Sequence, residues 1–166
     1  MARVTLDAST AHPRLLVSGD GLSARWEFSL QPPAAGPQRF QTDPCVLAHQ
    51  SFASGRRWWL VDLSQGQFCA VGVSRESLPR RGSVGFCPEE GIWCFQTRAL
   101  TRPPTLLSLP RVPRRIRVSL DYEWGEVGFF DVDNQTPIFT FPPASFRGER
   151  LRPWFWLELG SLSLPC

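Results

Sequence analysis

The chain has 166 residues, of which 42% are hydrophobic and 12% aromatic, and its formal net charge is +3. This composition excludes a disordered chain, and the length is that of one domain that can bury a core. No apolar run approaches the roughly 20 residues that span a bilayer, and the first residues lack the apolar core of a signal peptide. We therefore expect a single cytoplasmic domain at residues 1–166 without direct membrane insertion, although a neighbouring segment of a longer protein could hold a membrane span.

Short apolar runs between turn residues predict many short strands rather than long helices. Sixteen prolines and thirteen glycines supply the turns. In residues 1–40 we predict strands around Arg14–Val17 and Ala24–Phe28, followed by a proline-rich loop at Gln31–Pro37. Beyond Cys45 the predicted strands are Trp58–Leu63, Phe68–Val73, Gly91–Phe95, Arg115–Leu120, Val127–Val132 and Ile138–Phe141.

The clearest pattern is the strict alternation of polar and apolar residues in Arg115–Asp121. Every second side chain of this strand, from Ile116 to Leu120, is expected to face a core. Gly125 is placed to take a positive φ in the hairpin turn that follows, and Asp133–Pro137 forms the next turn. Such a meander, with no long amphipathic helix, predicts an all-β fold of two stacked antiparallel sheets.

A Ser-Gly-Arg turn at Ser54–Arg56 leads into the adjacent tryptophans Trp58 and Trp59. Further characteristic segments are Leu6–Pro13, Pro37–Phe40, Pro88–Trp93, Leu120–Glu123 and Arg152–Phe155. Together these segments closely resemble the PRY-SPRY domain of tripartite-motif ubiquitin ligases and butyrophilins. The resemblance implies a bent, concanavalin-like β-sandwich, with a PRY segment at about residues 1–50 and SPRY at about residues 51–166.

The resemblance also implies a ligand-binding face on the loops and on a concave sheet. The residues it points to are Arg57, Cys69, Ala70, Gln96, Arg98, Phe155 and Trp156. Two arginines framed by aromatic rings can bind a carboxylate or phosphate, and we expect Phe155 and Trp156 at the rim as anchors. The alternative is that both aromatics are core residues and that the arginines are merely solvated.

Several departures from the family pattern are predicted to cluster around this face. Arg57 and Trp58 replace a usual His-Tyr pair, and Cys69 replaces a common tryptophan. Arg117 replaces a common glycine, and Trp124 replaces a small turn residue. Neighbouring residues of a strand point to opposite faces, so one of Trp58 and Trp59 is expected in the core while the other can reach the binding face. For Trp124, exposure to a partner and folding back onto Phe129 or Phe130 are both open.

Reactive motifs are missing from the sequence. His12 and His49 are the only histidines and stand outside any catalytic or metal-binding motif, so we expect His12 to cap a local turn. The Cys87–Cys94 spacing is not that of a structural zinc site, and Asp131 and Asp133 with Asn134 are interpreted as turn formers. The five cysteines are odd in number and are expected to be reduced. We therefore predict a binding domain without catalytic residues, metal or cofactor.

The predicted function is target recognition for a tripartite-motif ubiquitin ligase, whose RING domain would lie elsewhere and whose coiled coil would make the whole protein dimeric. The alternative is the intracellular domain of a butyrophilin-like receptor that senses a small phosphorylated or acidic ligand through Arg57 and Arg98; a secreted SPRY protein is a third, weaker possibility. The expected partner is a protein or peptide, and the mild charge argues against nucleic acid. All eighteen basic residues are arginine, so the chain offers no lysine to ubiquitin.

Overall fold

The computed structural model describes residues 1–29, 38–97 and 113–165. The predicted loop at Gln31–Pro37 and the candidate residue Arg98 therefore lie outside the described residues. Two single-turn 3₁₀ helices, Ala8–Thr10 and Pro88–Glu90, accompany the strands. The strands are β1 (Leu6–Asp7), β2 (Leu15–Val17), β3 (Ser23–Trp26), β4 (Cys45–Ala48), β5 (Arg56–Asp62), β6 (Gly66–Arg75), β7 (Ile92–Gln96), β8 (Arg115–Asp121), β9 (Glu126–Asp131), β10 (Thr136–Thr140) and β11 (Leu151–Ser163).

The strands pair into two antiparallel sheets that share one strand. Sheet A has the order β1–β4–β11–β6–β7. Sheet B has the order β2–β3–β11–β5–β8–β9–β10. The prediction of an antiparallel β-sandwich is confirmed.

Strand β11 passes from one sheet to the other. Its first part pairs with β6 and β4 in sheet A, whereas Ser161–Ser163 pair with β3 in sheet B. Between the two parts, Leu159 and Gly160 have φ values of 67° and 86°, in the left-handed region. A Cβ atom on Gly160 would lie 2.2 Å from the carbonyl oxygen of Gln65, so the bend requires glycine at this position.

The main core lies between the sheets. The alternation predicted for β8 is confirmed, since Ile116, Val118 and Leu120 are at most 1% exposed. The expected division of the adjacent tryptophans is also confirmed, with Trp59 at 2% and Trp58 at 38% exposure. Gly125 takes the predicted positive φ, at 70°.

The outer face of sheet A is covered by a second apolar cluster. Its buried members are Phe40, Cys45, Leu47, Ala70, Leu78, Ile92, Cys94, Trp154 and Trp156. The segment between β6 and β7 covers them, and the ring of Phe86 meets those of Trp154 and Trp156 edge-on at 4.9 and 5.8 Å. Sheet A is thus largely apolar on both faces, which is why β11 contains the unbroken apolar run from Pro153 to Leu157.

Candidate binding surfaces

Three of the predicted binding residues lie in one row across the outer face of sheet A. The register pairs Trp156 with Ala70, and Ala70 with Gln96. Ala70 is fully buried and Trp156 is 7% exposed, whereas Gln96 is half-buried. The structure thus places these three predicted residues side by side, with Gln96 as the accessible member of the row.

Two other predicted residues point the opposite way. Cys69 and Phe155 are each one position away from the row, and side chains alternate between faces along a strand. Both lie in the core between the sheets, at 1% and 0% exposure. The expected rim position is wrong for Phe155, which is fully buried. Trp156 is also buried, because the ring of Phe86 packs against it. The alternative interpretation, that both aromatics are core residues, is therefore the one that the structure supports.

Arg57 lies on sheet B, where it pairs in register with Leu120. Its guanidinium stands 5.6 Å from the ring centroid of Phe52, which stacks in turn on Trp59 at 5.9 Å. Arg57 is exposed, but it belongs to a different sheet from Ala70 and Gln96. Arg57 therefore does not stand with Ala70, Gln96 and Trp156. It lines an open groove on sheet B instead, together with Trp58 and Arg117.

Sequence reasoning missed two residues beside the Gln96 row. Phe68 packs against the outer cluster of sheet A while remaining half-buried, and it pairs in register with the half-buried Glu158. The period of two that places Ala70 on this face places Phe68 on it too, so the signal was present in β6. We call Phe68, Gln96 and Glu158 the sheet A patch.

A second surface lies on the outer face of sheet B. An open groove of about 530 Å³ runs over β5, β8, β9 and β10. Its floor is made of Ser119, Gly128 and Thr140, which are neighbours in register. Gly128 keeps the floor low, because a Cβ atom there would lie 3.1 Å from Ser119 Oγ and 3.2 Å from Thr140 Oγ1. We call this feature the sheet B groove.

The walls of the sheet B groove are charged and aromatic. On one side, the guanidinium of Arg117 lies 4.5 Å from the ring centroid of Phe130 and 5.7 Å from that of Trp58. On the other side, Arg56 Nε donates to Asp121 Oδ2 at 2.9 Å. The sequence singled out Trp58 and Arg117 as departures from the family pattern that cluster around one face. The two side chains do stand together, but on sheet B rather than beside Ala70 and Gln96.

Trp124 is 68% exposed in the turn between β8 and β9. Its backbone N–H donates to Asp121 Oδ1 at 3.2 Å, which ties the turn to one wall of the sheet B groove. Of the two possibilities left open by the sequence, exposure is therefore the one that the structure shows.

The buried thiols and His12 are unsuited to catalysis. Burial raises the pKa of Cys69 to about 12, and burial together with the nearby Cys87 raises the pKa of Cys94 to about 12, so both stay protonated. Burial also lowers the pKa of His12, and its Nδ1 accepts the N–H of Arg14 at 3.1 Å, which confirms the turn cap. In residues 1–29, 38–97 and 113–165, no group of histidine, cysteine and acidic side chains could hold a metal ion.

The fold is an antiparallel β-sandwich with an aromatic patch on one sheet and an open, charged groove on the other, and known protein families match it. The SPRY domain profile matches residues 56–163, and the profile described as the SPRY-associated domain (PRY) matches residues 4–52. The chain belongs to the SPRY family, whose domains are non-catalytic modules that bind proteins or peptides. In the described ranges, no helix is long and apolar enough to cross a membrane.

Relatives fall on two branches of this family. The chain is 42% identical over 163 residues to tripartite motif-containing protein 10 of Sus scrofa, an alignment that covers 94% of this chain and 33% of the relative. It is 41% identical over 159 residues to butyrophilin subfamily 1 member A1 of Mus musculus, covering 93% of this chain and 30% of the relative. The chain thus spans about a third of the length of these relatives.

Solved structures agree on the fold. A TRIM65 PSpry domain superposes with a TM-score of 0.79 and 26% identity, covering 99% of this chain and 91% of that one. A stonustoxin structure has a TM-score of 0.82 at 22% identity, covering 99% of this chain and 29% of that chain, and it shows likeness of fold alone.

Proposed function

We propose that this domain recognises the target protein of a cytoplasmic tripartite-motif ubiquitin ligase. The observation that carries the proposal is the 42% identity with tripartite motif-containing protein 10 across 94% of the chain. Ligase chemistry would belong to a RING domain elsewhere in a longer protein, dimeric through a coiled coil. This domain would hold the target near the RING domain and so raise its effective concentration there.

We further propose that the target docks on the sheet A patch. Phe68 offers a partly accessible aromatic ring that is fixed by the apolar cluster beneath it, and such rigid aromatics are common binding anchors. Gln96 and Glu158 add polar groups at its sides. Arg98, two residues beyond Gln96, is a further candidate from the sequence alone.

The test compares matched variants on the two sheets within the full-length protein. A photo-crosslinking amino acid at Gln96 should capture a target in cells, and Phe68→Asp should abolish both that crosslink and ubiquitylation of the captured protein. Leu16→Asp, which alters a partly exposed apolar side chain of β2 in sheet B, should leave both intact. If Phe68→Asp has no effect on target ubiquitylation, the sheet A patch is not the docking surface.

The alternative function is ligand sensing in a butyrophilin-like receptor, favoured by the 41% identity with butyrophilin subfamily 1 member A1. A small phosphorylated or acidic ligand would then bind through Arg57 or Arg98. Calorimetric titration with pyrophosphate should give heat that is lost in Arg98→Ala or Arg57→Ala if this function is right. The flanking coding sequence separates the two functions, since a RING domain and coiled coil support the ligase whereas a membrane span supports the receptor.

A further inference from the structure

Arg117 is a cation held in place without an acidic partner. Its half-buried side chain lies against the rings of Phe130 and Trp58, and none of the ion pairs formed within the described ranges involves it. Arg115, on the same face of β8, instead pairs with Asp133 at 2.6 Å. Stacking on rings restrains a guanidinium and leaves its N–H groups available at the edge for an anion.

The strands and the shape of the sheet B groove indicate what kind of molecule could carry that anion. Strands β8 and β9 are each paired on both sides, so their backbones have no free edge for a new strand. Over β8 and β9, recognition must therefore come from side chains, whereas β10 is the last strand of sheet B. The groove is open and shallow rather than enclosed, a shape that suits a chain lying along the surface better than a compact small molecule.

The charges of the groove favour a carboxylate. Asp121 and Glu126 also line it, and they would repel a phosphate dianion more strongly than a single negative charge. Arg56 is already paired with Asp121, and the guanidinium of Arg57, which also lines the groove, lies over the ring of Phe52. Arg117, beside Trp58, is therefore the cation best placed to bind an acidic side chain. Trp58, at 38% exposure, offers an apolar surface next to it.

We propose that the sheet B groove is a second recognition surface, which binds an extended peptide segment through a carboxylate on Arg117 and an apolar side chain on Trp58. Trp58 lies opposite Ser119, two residues beyond Arg117 along β8. Two residues of an extended chain span about 6.6 Å, so the acid and the apolar residue stand at alternate positions of the peptide. This surface is separate from the sheet A patch and does not depend on it.

The probe is a capped, fluorescein-labelled hexapeptide of sequence Gly-Glu-Ser-Val-Ser-Gly, which places glutamate and valine two positions apart on one face of the extended chain. The same peptide with glutamine in place of glutamate is its neutral match. Binding is followed by fluorescence polarisation and by NMR of the ¹⁵N-labelled domain, with the Trp58 indole signal assigned through Trp58→Phe. We expect the acidic peptide to bind and to shift the Trp58 signal, whereas the neutral peptide binds at least about tenfold more weakly.

Variants on one strand face give the decisive comparison. Arg117→Gln should weaken binding of the acidic peptide about tenfold or more, while Arg115→Gln, which removes an exposed cation of the same strand, should change it less than about threefold. Circular dichroism and the remaining NMR signals of each variant establish that it is folded.

Four outcomes would overturn the proposal: no binding at millimolar peptide, equal binding of the two peptides, an equal effect of the two arginine variants, or shifts confined to sheet A. Inorganic phosphate that displaces the peptide with the same dependence on Arg117 would overturn the assignment of a carboxylate. Loss of target capture at the sheet A patch would leave this result unaffected, so the two surfaces are tested separately.

Discussion

The outer face of sheet A is covered by other parts of the chain, whereas the outer face of sheet B is exposed to solvent, although both sheets are built from antiparallel strands. On sheet A, the outward side chains are mostly apolar or small, with Gln96 and Glu158 as polar exceptions, and the segment carrying Phe86 packs over Trp154 and Trp156. On sheet B, the outward side chains of β8 are Arg115, Arg117, Ser119 and Asp121, and a groove stays open to solvent. One face is therefore part of the core and tolerates little change, whereas the other is a surface on which composition can vary.

The largest expected effect comes from adding one methyl group to the floor of each face. In sheet A, a Cβ atom on Gly72 would lie 1.9 Å from the backbone oxygen of Trp93, so Gly72→Ala must separate β6 from β7. We expect a loss of more than about 3 kcal/mol in the free energy of unfolding, measured by urea denaturation. Gly128→Ala in sheet B meets only the rotatable hydroxyls of Ser119 and Thr140 and should cost less than about 1 kcal/mol. Equal losses would remove the distinction between the two faces.

A tryptophan from each face gives the next comparison. Trp154 is fully buried, with its ring 4.9 Å from that of Phe86, so Trp154→Ala should lower the free energy of unfolding by about 3–5 kcal/mol. Trp58 is 38% exposed and contacts Arg117, so Trp58→Ala should cost about 1 kcal/mol or less. A Trp58→Ala variant as unstable as Trp154→Ala would show that the sheet B groove is structural.

The smallest effect is a dependence of stability on pH that arises at sheet A. The nearly buried Arg152 donates to Ala48 O at 2.8 Å and to Asp7 Oδ2 at 3.1 Å. Burial alone would raise the pKa of Asp7, but hydrogen bonds from Ser9, the charge of His49 and a hydrogen bond from Arg152 together hold this pKa below its ordinary value of 3.8. The stability that ionised Asp7 contributes is thus present above pH 3.8 and is lost as the pH falls through the lower folded-state pKa.

Asp7→Asn should therefore lower the free energy of unfolding by about 1–2 kcal/mol at pH 7, and the difference from the unmodified domain should shrink below pH 3.8. The matched change on sheet B is Asp133→Asn, which removes the exposed partner of Arg115 and should alter stability little at either pH. Urea denaturation at pH 7 and at acidic pH measures both variants. A difference for Asp7→Asn that grows as the pH falls would contradict the assigned direction of the pKa shift.

The strands of sheet B could be predicted from sequence because one of their faces is polar. The alternation in Arg115–Asp121 gives both the strand and the identity of its buried residues. Strand β11 was not predicted, since the apolar run from Pro153 to Leu157 has no period and Pro153 argues against a central strand. The missing period follows from its place in sheet A, where Leu151–Leu157 are buried.

The candidate site was predicted only in part, for a related reason. The resemblance brought Trp156, Ala70 and Gln96 together, because register is preserved across a family fold. It could not decide which side of β11 each aromatic faces, and a shift by one residue moves Phe155 into the core. Trp58 and Arg117 are 59 residues apart in the sequence, and only the pairing of β5 with β8 brings them into contact. No local sequence pattern indicates such a long-range contact.

The passage of β11 through both sheets has a consequence for synthesis of the protein. During translation, β3, β4, β5 and β6 leave the ribosome before β11, yet each of them pairs with it. Until residues 151–163 emerge, these strands present unpaired edges, and the nascent chain is open to pairing with other chains. Protection by chaperones should thus matter most in this interval. A premature stop before Leu151 would yield a product that lacks the strand shared by both sheets and therefore cannot complete either sheet.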